Sequence, residues 1–177
     1  MGLDLSLTST GVCISGTSFS INSKNKGTKR LIEISERLLN IINLENPQAI
    51  MLEGYSFGSK FSRAHSIGEL GGVVKTLLYQ NGVPVIDVPP ACRAKFATGK
   101  GNASKIDVLL SISNMTGLEF SGTHKDDLCD AWVLEQMGLA KFGLSKFHWS
   151  KEQLSSLDKI DWTPLSQLLN KAVTNES

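Results

Sequence analysis

Five carboxylates stand where a fold could gather them: Asp4, Glu53, and the group Asp126, Asp127 and Asp130. Asp4 lies in GLDLSL, where Leu3, Leu5 and Leu7 alternate with Asp4 and Ser6 at the period of a half-buried strand. Aspartate is depleted from strands, so a carboxylate there needs a reason. Glu53 follows Ala49-Ile50-Met51-Leu52, a short apolar run of the kind that forms a central strand covered on both faces. Asp126 and Asp127 precede Asp130 by four and three residues, which puts them on one face of a helix with it. If the Ala49–Leu52 strand returns beside the first, Asp4 and Glu53 become neighbours about 4.8 Å apart. The helix adds one or two more acids. Two such charges 5 Å apart repel by roughly 3 kcal/mol at an effective dielectric of 20. Three or four of them require a cation, and hard oxygen ligands with few other donors mean Mg²⁺, with Mn²⁺ as a substitute. Two ions about 3.5–4 Å apart would activate a water and stabilise the leaving oxygen of a phosphodiester. Taken singly, each acid has a plainer explanation. Asp4 could face solvent on an edge strand, Glu53 could belong to a loop, and Asp127 and Asp130 could be helix-start acids favoured by the dipole. Convergence is what favours the metal.

The elements that must position these acids follow from periodicity and turn residues. Strands are expected at residues 2–7, 12–14 and 18–21, with Ser15-Gly16-Thr17 as a turn, which makes an antiparallel meander. From Thr28 the apolar period becomes helical through Leu31, Ile34, Leu38 and Ile41/Ile42. A fourth strand spans 49–52, and a glycine-rich aromatic loop runs from Gly54 to Ser62. A helix is expected over 63–79, where Gly68, Gly71 and Gly72 imply close packing against another backbone. A fifth strand follows at 83–88, closed by Pro89-Pro90. Helices are then expected at 103–114, 125–139 and 164–172. The order predicts an α/β fold: a mixed five-stranded sheet, its first three strands antiparallel and its fourth and fifth parallel, with helices on both faces. The main unit is placed at 1–143, and 144–177 is read as a C-terminal extension packed on or flanking it.

Size and composition agree with one domain: 177 residues, 41% hydrophobic, with no run of about 18 apolar residues and no basic-then-apolar leader. No membrane partner is expected. Cys13, Cys92 and Cys129 are odd in number and scattered, which suits a reducing cytoplasm and argues against a zinc cluster. The net charge is +1, but its distribution is uneven: residues 1–110 carry 12 basic and 8 acidic side chains, residues 111–177 carry 6 and 9. Arg93, Lys95, Lys100 and Lys105 have no acid among them, nor do Lys24, Lys26, Lys29 and Arg30. Such clusters are usually solvated surface unless an anionic polymer is called for.

The acids and their surroundings carry a resemblance. Asp4 in GLDLSLTSTGV, Glu53 in MLEGYSFG and D-D-L-C-D-A at 126–131 resemble the four-acid signature of the RuvC family, Holliday junction resolvases with an RNase H-like fold. SIGELGGVVK (66–75) resembles the glycine-containing helix after the catalytic glutamate. VPPACRAKFATGKGNASKIDV (88–108) resembles the family's P-x-x-x-K…T-G-x-G-x-A-x-K stretch. The match runs from residue 2 to 140 in order and looks closer to bacteriophage-type members. The resemblance implies that Asp4, Glu53, Asp127 and Asp130 are catalytic metal ligands. It also implies a homodimer that nicks opposing strands of a four-way DNA junction, in a bacterial cytoplasm or an infected host cell. The family's wedge phenylalanine is not matched at its spacing. Tyr55, Phe57 and Phe61 flank that position with Lys60 in the same loop, and an exposed base could stack on any of them; equally, they could fold back on the core.

In that setting Thr98 to Lys105 reads as a DNA-contacting segment. Its glycines let backbone approach phosphate, and Lys100 and Lys105 join Arg93 and Lys95 as contacts. His65 and His124 read as surface or satisfied residues. Thr123-His124-Lys125-Asp126 fits a capping box, which gives Asp126 a structural duty and leaves Asp127 for the metal. Three rivals remain at this point, the first being another RNase H-like nuclease. Actin-like ATPases and sugar kinases share the β-β-β-α-β start, but their cleft lies between two such domains. A catalytically dead nucleic-acid-binding module would have no use for clustered carboxylates without metals.

Overall fold

The computed structural model describes residues 1–54 and 61–165, with backbone alone for 61–66. The first strand, β1 (Gly2–Asp4), is shorter than the leucine alternation predicts. The cause is local hydrogen bonding. Thr10 Oγ1 donates to the Ser6 carbonyl at 2.7 Å and accepts the Ser6 amide at 3.2 Å, while Ser6 Oγ accepts from the Thr8 and Ser9 amides. Hydroxyls that bond their own backbone compete with a strand ladder. Asp4 is thereby left as the last residue of β1. β2 (Thr10–Ile14) and β3 (Thr17–Ile21) form a hairpin through Ser15 and Gly16, whose φ values of 52° and 79° are the pair of positive values that a two-residue turn needs.

Helix α1 (Gly27–Glu45) buries Ile34, Leu38 and Ile42 at four-residue spacing. It ends where Asn46, at φ 45°, returns its amide to the Ile42 carbonyl. β4 (Ile50–Glu53), α2 (Phe61–Gln80) and β5 (Val85–Val88) follow. The strand order is β3-β2-β1-β4-β5, with β1–β2 and β2–β3 antiparallel and β1–β4 and β4–β5 parallel. The α/β class and mixed five-stranded sheet are as expected.

Helix α3 (Pro90–Thr98) corrects the expectation that Pro89-Pro90 merely closes a strand. Pro90 takes the first helical position, where a missing N–H costs nothing. α4 (Lys105–Thr116), α5 (Lys125–Lys141), the short α6 (Lys151–Leu154) and a 3₁₀ turn (Leu157–Lys159) complete the described elements. Residues 163–165 are helical, and the remainder of the helix expected to 172 lies outside the described residues.

The sheet separates two cores. On one face Leu3, Val12, Ile50 and Leu52 pack with Ile34, Leu38 and Ile42 of α1 and Leu70, Val74 and Leu78 of α2. On the other, Cys13, Met51, Ile86 and Val88 pack with Phe96, Ile112, Trp132 and Met137. Trp149, Leu157 and Ile160 belong to that second cluster, so residues beyond 143 contribute to its core. α5 lies hard against β1 and β2. A Cβ on Gly2 would stand 2.0 Å from the Ala131 carbonyl oxygen, and one on Gly11 2.3 Å from that of Asp127. Gly68 and Gly72 behave otherwise than expected: a Cβ on either would meet nothing within 4 Å. Among the described residues, no helix is long and apolar enough to cross a membrane.

Candidate metal centre

Period-two alternation aims the strand acids. Leu3 and Leu52 are register partners in the parallel β1–β4 pair and both enter the α1/α2 core. Their successors, Asp4 and Glu53, therefore point to the α5 side. Asp4 pairs across β2 with Gly11, the residue whose bare Cα admits the Asp127 carbonyl. The close seating of α5 thus delivers Asp130 to the strand ends. Oxygens of Asp4, Glu53 and Asp130 lie within 4.8 Å of one another. Asp127 is one helical turn away, buried, with its Oδ1 3.0 Å from Lys105 Nζ.

Among the described residues two cations enter this cluster, and they differ. Arg93 is buried, with a side chain 6% exposed. Its Nε lies 2.8 Å from Glu53 Oε2, its Nη2 donates to Glu53 Oε1 at 3.4 Å, and its Nη1 donates to Asp130 Oδ1. Lys105 is half exposed, and its Nζ stands 3.0 Å from Asp127 Oδ1 and 3.3 Å from both Asp126 Oδ2 and Asp130 Oδ2. His124 Nδ1 is 3.6 Å from Asp127 Oδ2.

The electrostatics report an unmet demand for positive charge. Burial, then repulsion from Glu53 and Asp130, raises the Asp4 carboxyl well above the usual range. Burial pushes Asp130 up to about 6 despite the opposing Arg93 and Lys105 charges. Lys105 is raised in turn, because Asp130 and Asp4 outweigh the effect of its own burial. Asp130 Oδ2 is fully buried and accepts no hydrogen bond. Its cationic neighbour is the half-exposed Lys105 ammonium 3.3 Å away, and a buried acceptor-only oxygen among carboxylates calls for a cation, so this donor set suits the metal that the sequence implies.

Other residues singled out in the sequence are placed as follows. The basic cluster of 91–105 is not one surface. Arg93 is interior, contrary to its reading as a DNA-facing cation, because α3 turns it onto Glu53 and Asp130. Lys95 is paired with Glu152 Oε1 at 2.7 Å, and Lys100 is exposed. The glycines of TGKGNAS serve the chain itself: Gly99 caps α3 at φ 81°, and Gly101 lies against the Ala91 carbonyl. The first turn of α4 is closed by a Ser104–Asp107 capping box that the sequence reading did not foresee. The Thr123–Asp126 box is corrected. The N-cap of α5 is His124, without a side-chain cap bond, and the Asp126 carboxylate lies beside Lys105 instead. Tyr55, Phe57 and Lys60 lie outside the described residues, as do the side chains of Phe61 and His65. Arg93 is what sequence reasoning missed at the site. Its signal was available: Arg93 stands among Cys92, Ala94, Phe96 and Ala97, all of which are buried, with Lys95 as the one other charge in that run.

No protein-family model matches the chain. Individual proteins do. It is 32% identical over 115 residues to the crossover junction endodeoxyribonuclease RuvC of Carboxydothermus hydrogenoformans, covering 65% of this chain and 72% of that protein. Thermus thermophilus RuvC superposes with a TM-score of 0.63 at 22% identity, over 83% of this chain and 98% of that one. A second structure of that protein, in complex with Holliday junction substrate, gives 0.62 at the same identity, over 83% and 97%. Acids from two adjacent strand ends and one helix, on this sheet order and in a chain this similar over most of a relative's length, leave one assignment: the chain belongs to the RuvC family of crossover junction endodeoxyribonucleases.

Proposed function

We propose that this chain is a structure-selective endonuclease that resolves four-way and other branched DNA by metal-dependent phosphodiester hydrolysis. The observation that carries this reading is the convergence of Asp4, Glu53 and Asp130 from separate elements, with Asp130 Oδ2 buried beside the half-exposed Lys105 ammonium at 3.3 Å. Asp4, Glu53, Asp127 and Asp130 are the proposed catalytic and metal-holding residues, and Mg²⁺, as two ions with Mn²⁺ as a substitute, is the proposed metal. When bound, the metal supplies the Lewis acidity that activates a water and neutralises the leaving oxygen. The strand acids sit on the rigid ends of β1 and β4, which holds their carboxylates in place for an in-line displacement. Lys100 is exposed and free to meet the DNA backbone, while Lys105 reaches from α4 into the acids, at the boundary between backbone and reacting phosphate. Tyr55, Phe57 and Lys60, which precede α2 in sequence, are proposed to meet the junction.

A homodimer is proposed through the groove between α1 and α2. It is lined by Leu31, Gly68, Gly72, Val73 and Leu77, and the open faces of both glycines would let a second backbone approach closely. Residues 144–177 are proposed as an extension of a nuclease domain spanning 1–143. The three unpaired cysteines favour the cytoplasm, in a bacterium or a phage-infected cell; the bacteriophage affinity rests on the sequence resemblance, the relatives matched being bacterial. The test is incubation with Mg²⁺ and a labelled four-way junction beside linear duplex of the same sequence. Nicking confined to the junction is expected, and equal cutting of the duplex would reject structure selectivity. Sedimentation of the wild type and Gly72→Leu tests the dimer, which the variant should lose.

A further inference from the structure

The two cations of the site have different mobility. Lys105 is a half-exposed ammonium on a flexible stem, able to leave. Arg93 is enclosed. Its fork engages both oxygens of Glu53 at the end of β4 and one oxygen of Asp130 on α5, from a third element, α3. A guanidinium never deprotonates, so this charge is permanent. We infer that Arg93 is a positioning residue: a built-in counter-ion that locks Glu53 and Asp130 together before any metal arrives and, by its charge, weakens the hold of the site on divalent ions.

The inference rests on the metal-site reading above. Three observations carry it. Asp130 gives Oδ1 to the enclosed Arg93 and Oδ2, at 3.3 Å, to the half-exposed Lys105, so one oxygen is held by the fixed cation and the other by a cation able to leave. Both Glu53 oxygens face the guanidinium, Oε2 as an ion pair 2.8 Å from Nε and Oε1 through a long 3.4 Å bond from Nη2. Among the described residues Asp4 pairs with neither cation, and it closes the triangle with the two acids that Arg93 holds. A fixed positive charge this close to a divalent site must oppose the ion, while keeping the carboxylates from springing apart in its absence.

The test is Mn²⁺ affinity, read from the EPR signal of free Mn²⁺ over protein without DNA, for wild type, Arg93→Gln and Arg93→Lys. Arg93→Gln should bind Mn²⁺ at least about tenfold more tightly. Its melting temperature should fall without metal and recover with Mn²⁺ by more than the wild type gains. Arg93→Lys keeps the charge and loses the fork, so its affinity should stay near wild type while junction cleavage at saturating metal falls. Equal or weaker Mn²⁺ binding by a folded Arg93→Gln overturns the inference and makes Arg93 an ordinary packing pair. If Arg93→Gln does not fold without metal, Glu53→Gln is compared with Glu53→Gln/Arg93→Gln, where an amide pair replaces the buried ions; no gain in affinity on losing the arginine is again the overturning result. Asp4→Asn separates the two readings. Loss of Mn²⁺ binding in Asp4→Asn with no change in Arg93→Gln sinks only the counter-ion role, whereas undiminished binding in Asp4→Asn removes the metal site and this inference with it.

Discussion

The two faces of the sheet are built from adjacent residues of the same strands, yet they obey different rules. Leu3 and Leu52 enter a core of aliphatic side chains supplied by α1 and α2, where each contact resembles its neighbours. Asp4 and Glu53, one residue further along, enter a pocket where three carboxylates and a guanidinium share a few ångströms. The first face is held by area. The second is held by a balance of charges, placed by an α5 that backbone contact at Gly2 and Gly11 seats without slack. The lesson is that a strand end can be stabilised by one face while the other carries groups that would not, by themselves, stay together.

The sharpest way to break this comparison is a pair of neighbouring substitutions. Asp4→Asn should abolish Mg²⁺-dependent junction nicking while junction binding survives, as gel shift beside a cleavage assay would show. Because it relieves repulsion with Glu53 and Asp130, the metal-free variant should melt no lower than wild type. Leu3→Ala should do the opposite: a loss of about 2–5 kcal/mol in urea unfolding, with cleavage per folded molecule retained. Cleavage by Asp4→Asn at the wild-type rate, or a stable Leu3→Ala, would erase the distinction between the faces.

A smaller effect tests the seating of α5. Gly11→Ala places a methyl 2.3 Å from the Asp127 carbonyl oxygen, so helix or strand must shift. We expect a cost of about 1–3 kcal/mol. Cleavage should fall further than the stability loss explains, since Asp127 and Asp130 move with the helix.

Much of this was legible in sequence, for stated reasons. A short apolar run reported β4 and hence Glu53, because a strand covered on both faces tolerates few polar residues. The meander followed from the shortness of its connections, and that order sets β4 beside β1. Other features depend on contacts distant in sequence. β1 ends at Asp4 because Thr10 reaches back to Ser6, which the leucine alternation masks. The Thr123–Asp126 capping box fits by pattern, but Lys105, about twenty residues earlier, draws the Asp126 carboxylate instead. Arg93 read as part of a surface charge cluster because α3 was not anticipated. Without a helix from Pro90, nothing turns Arg93 inward.

A gentler probe addresses the outer surface of the basic segment. Lys100 is exposed, whereas Arg93 and Lys95 are engaged by acids. Lys100→Ala should therefore weaken junction binding and make the slope of log K against log salt shallower by about 0.9. Lys95→Ala should leave the slope unchanged, since its charge is already spent on Glu152. The reverse result would move the DNA track from the α3–α4 loop towards α6.

The smallest expected difference lies between two adjacent acids. Asp126 and Asp127 both meet Lys105, at 3.3 Å and 3.0 Å, so contact with that lysine does not separate them. Burial does: the Asp127 side chain is 13% exposed and Asp126 38%. Asp127 also hangs from the backbone segment that rests on Gly11, beside Asp4, which ties its position to the strand acids. Its lysine holds Asp126 in the ionised form from the rim. Asp127→Asn should therefore lose cleavage with little change in melting temperature. Asp126→Asn should keep substantial activity and shift stability by no more than about 1 kcal/mol, the range of a solvent-screened pair. The capping role once open to Asp126 would have made its loss the more destabilising of the two, and His124 at the N-cap removes that expectation. If the activities come out exchanged, the ligand is the acid nearer solvent, and the charged face of the sheet extends one residue further towards the DNA than its burial implies.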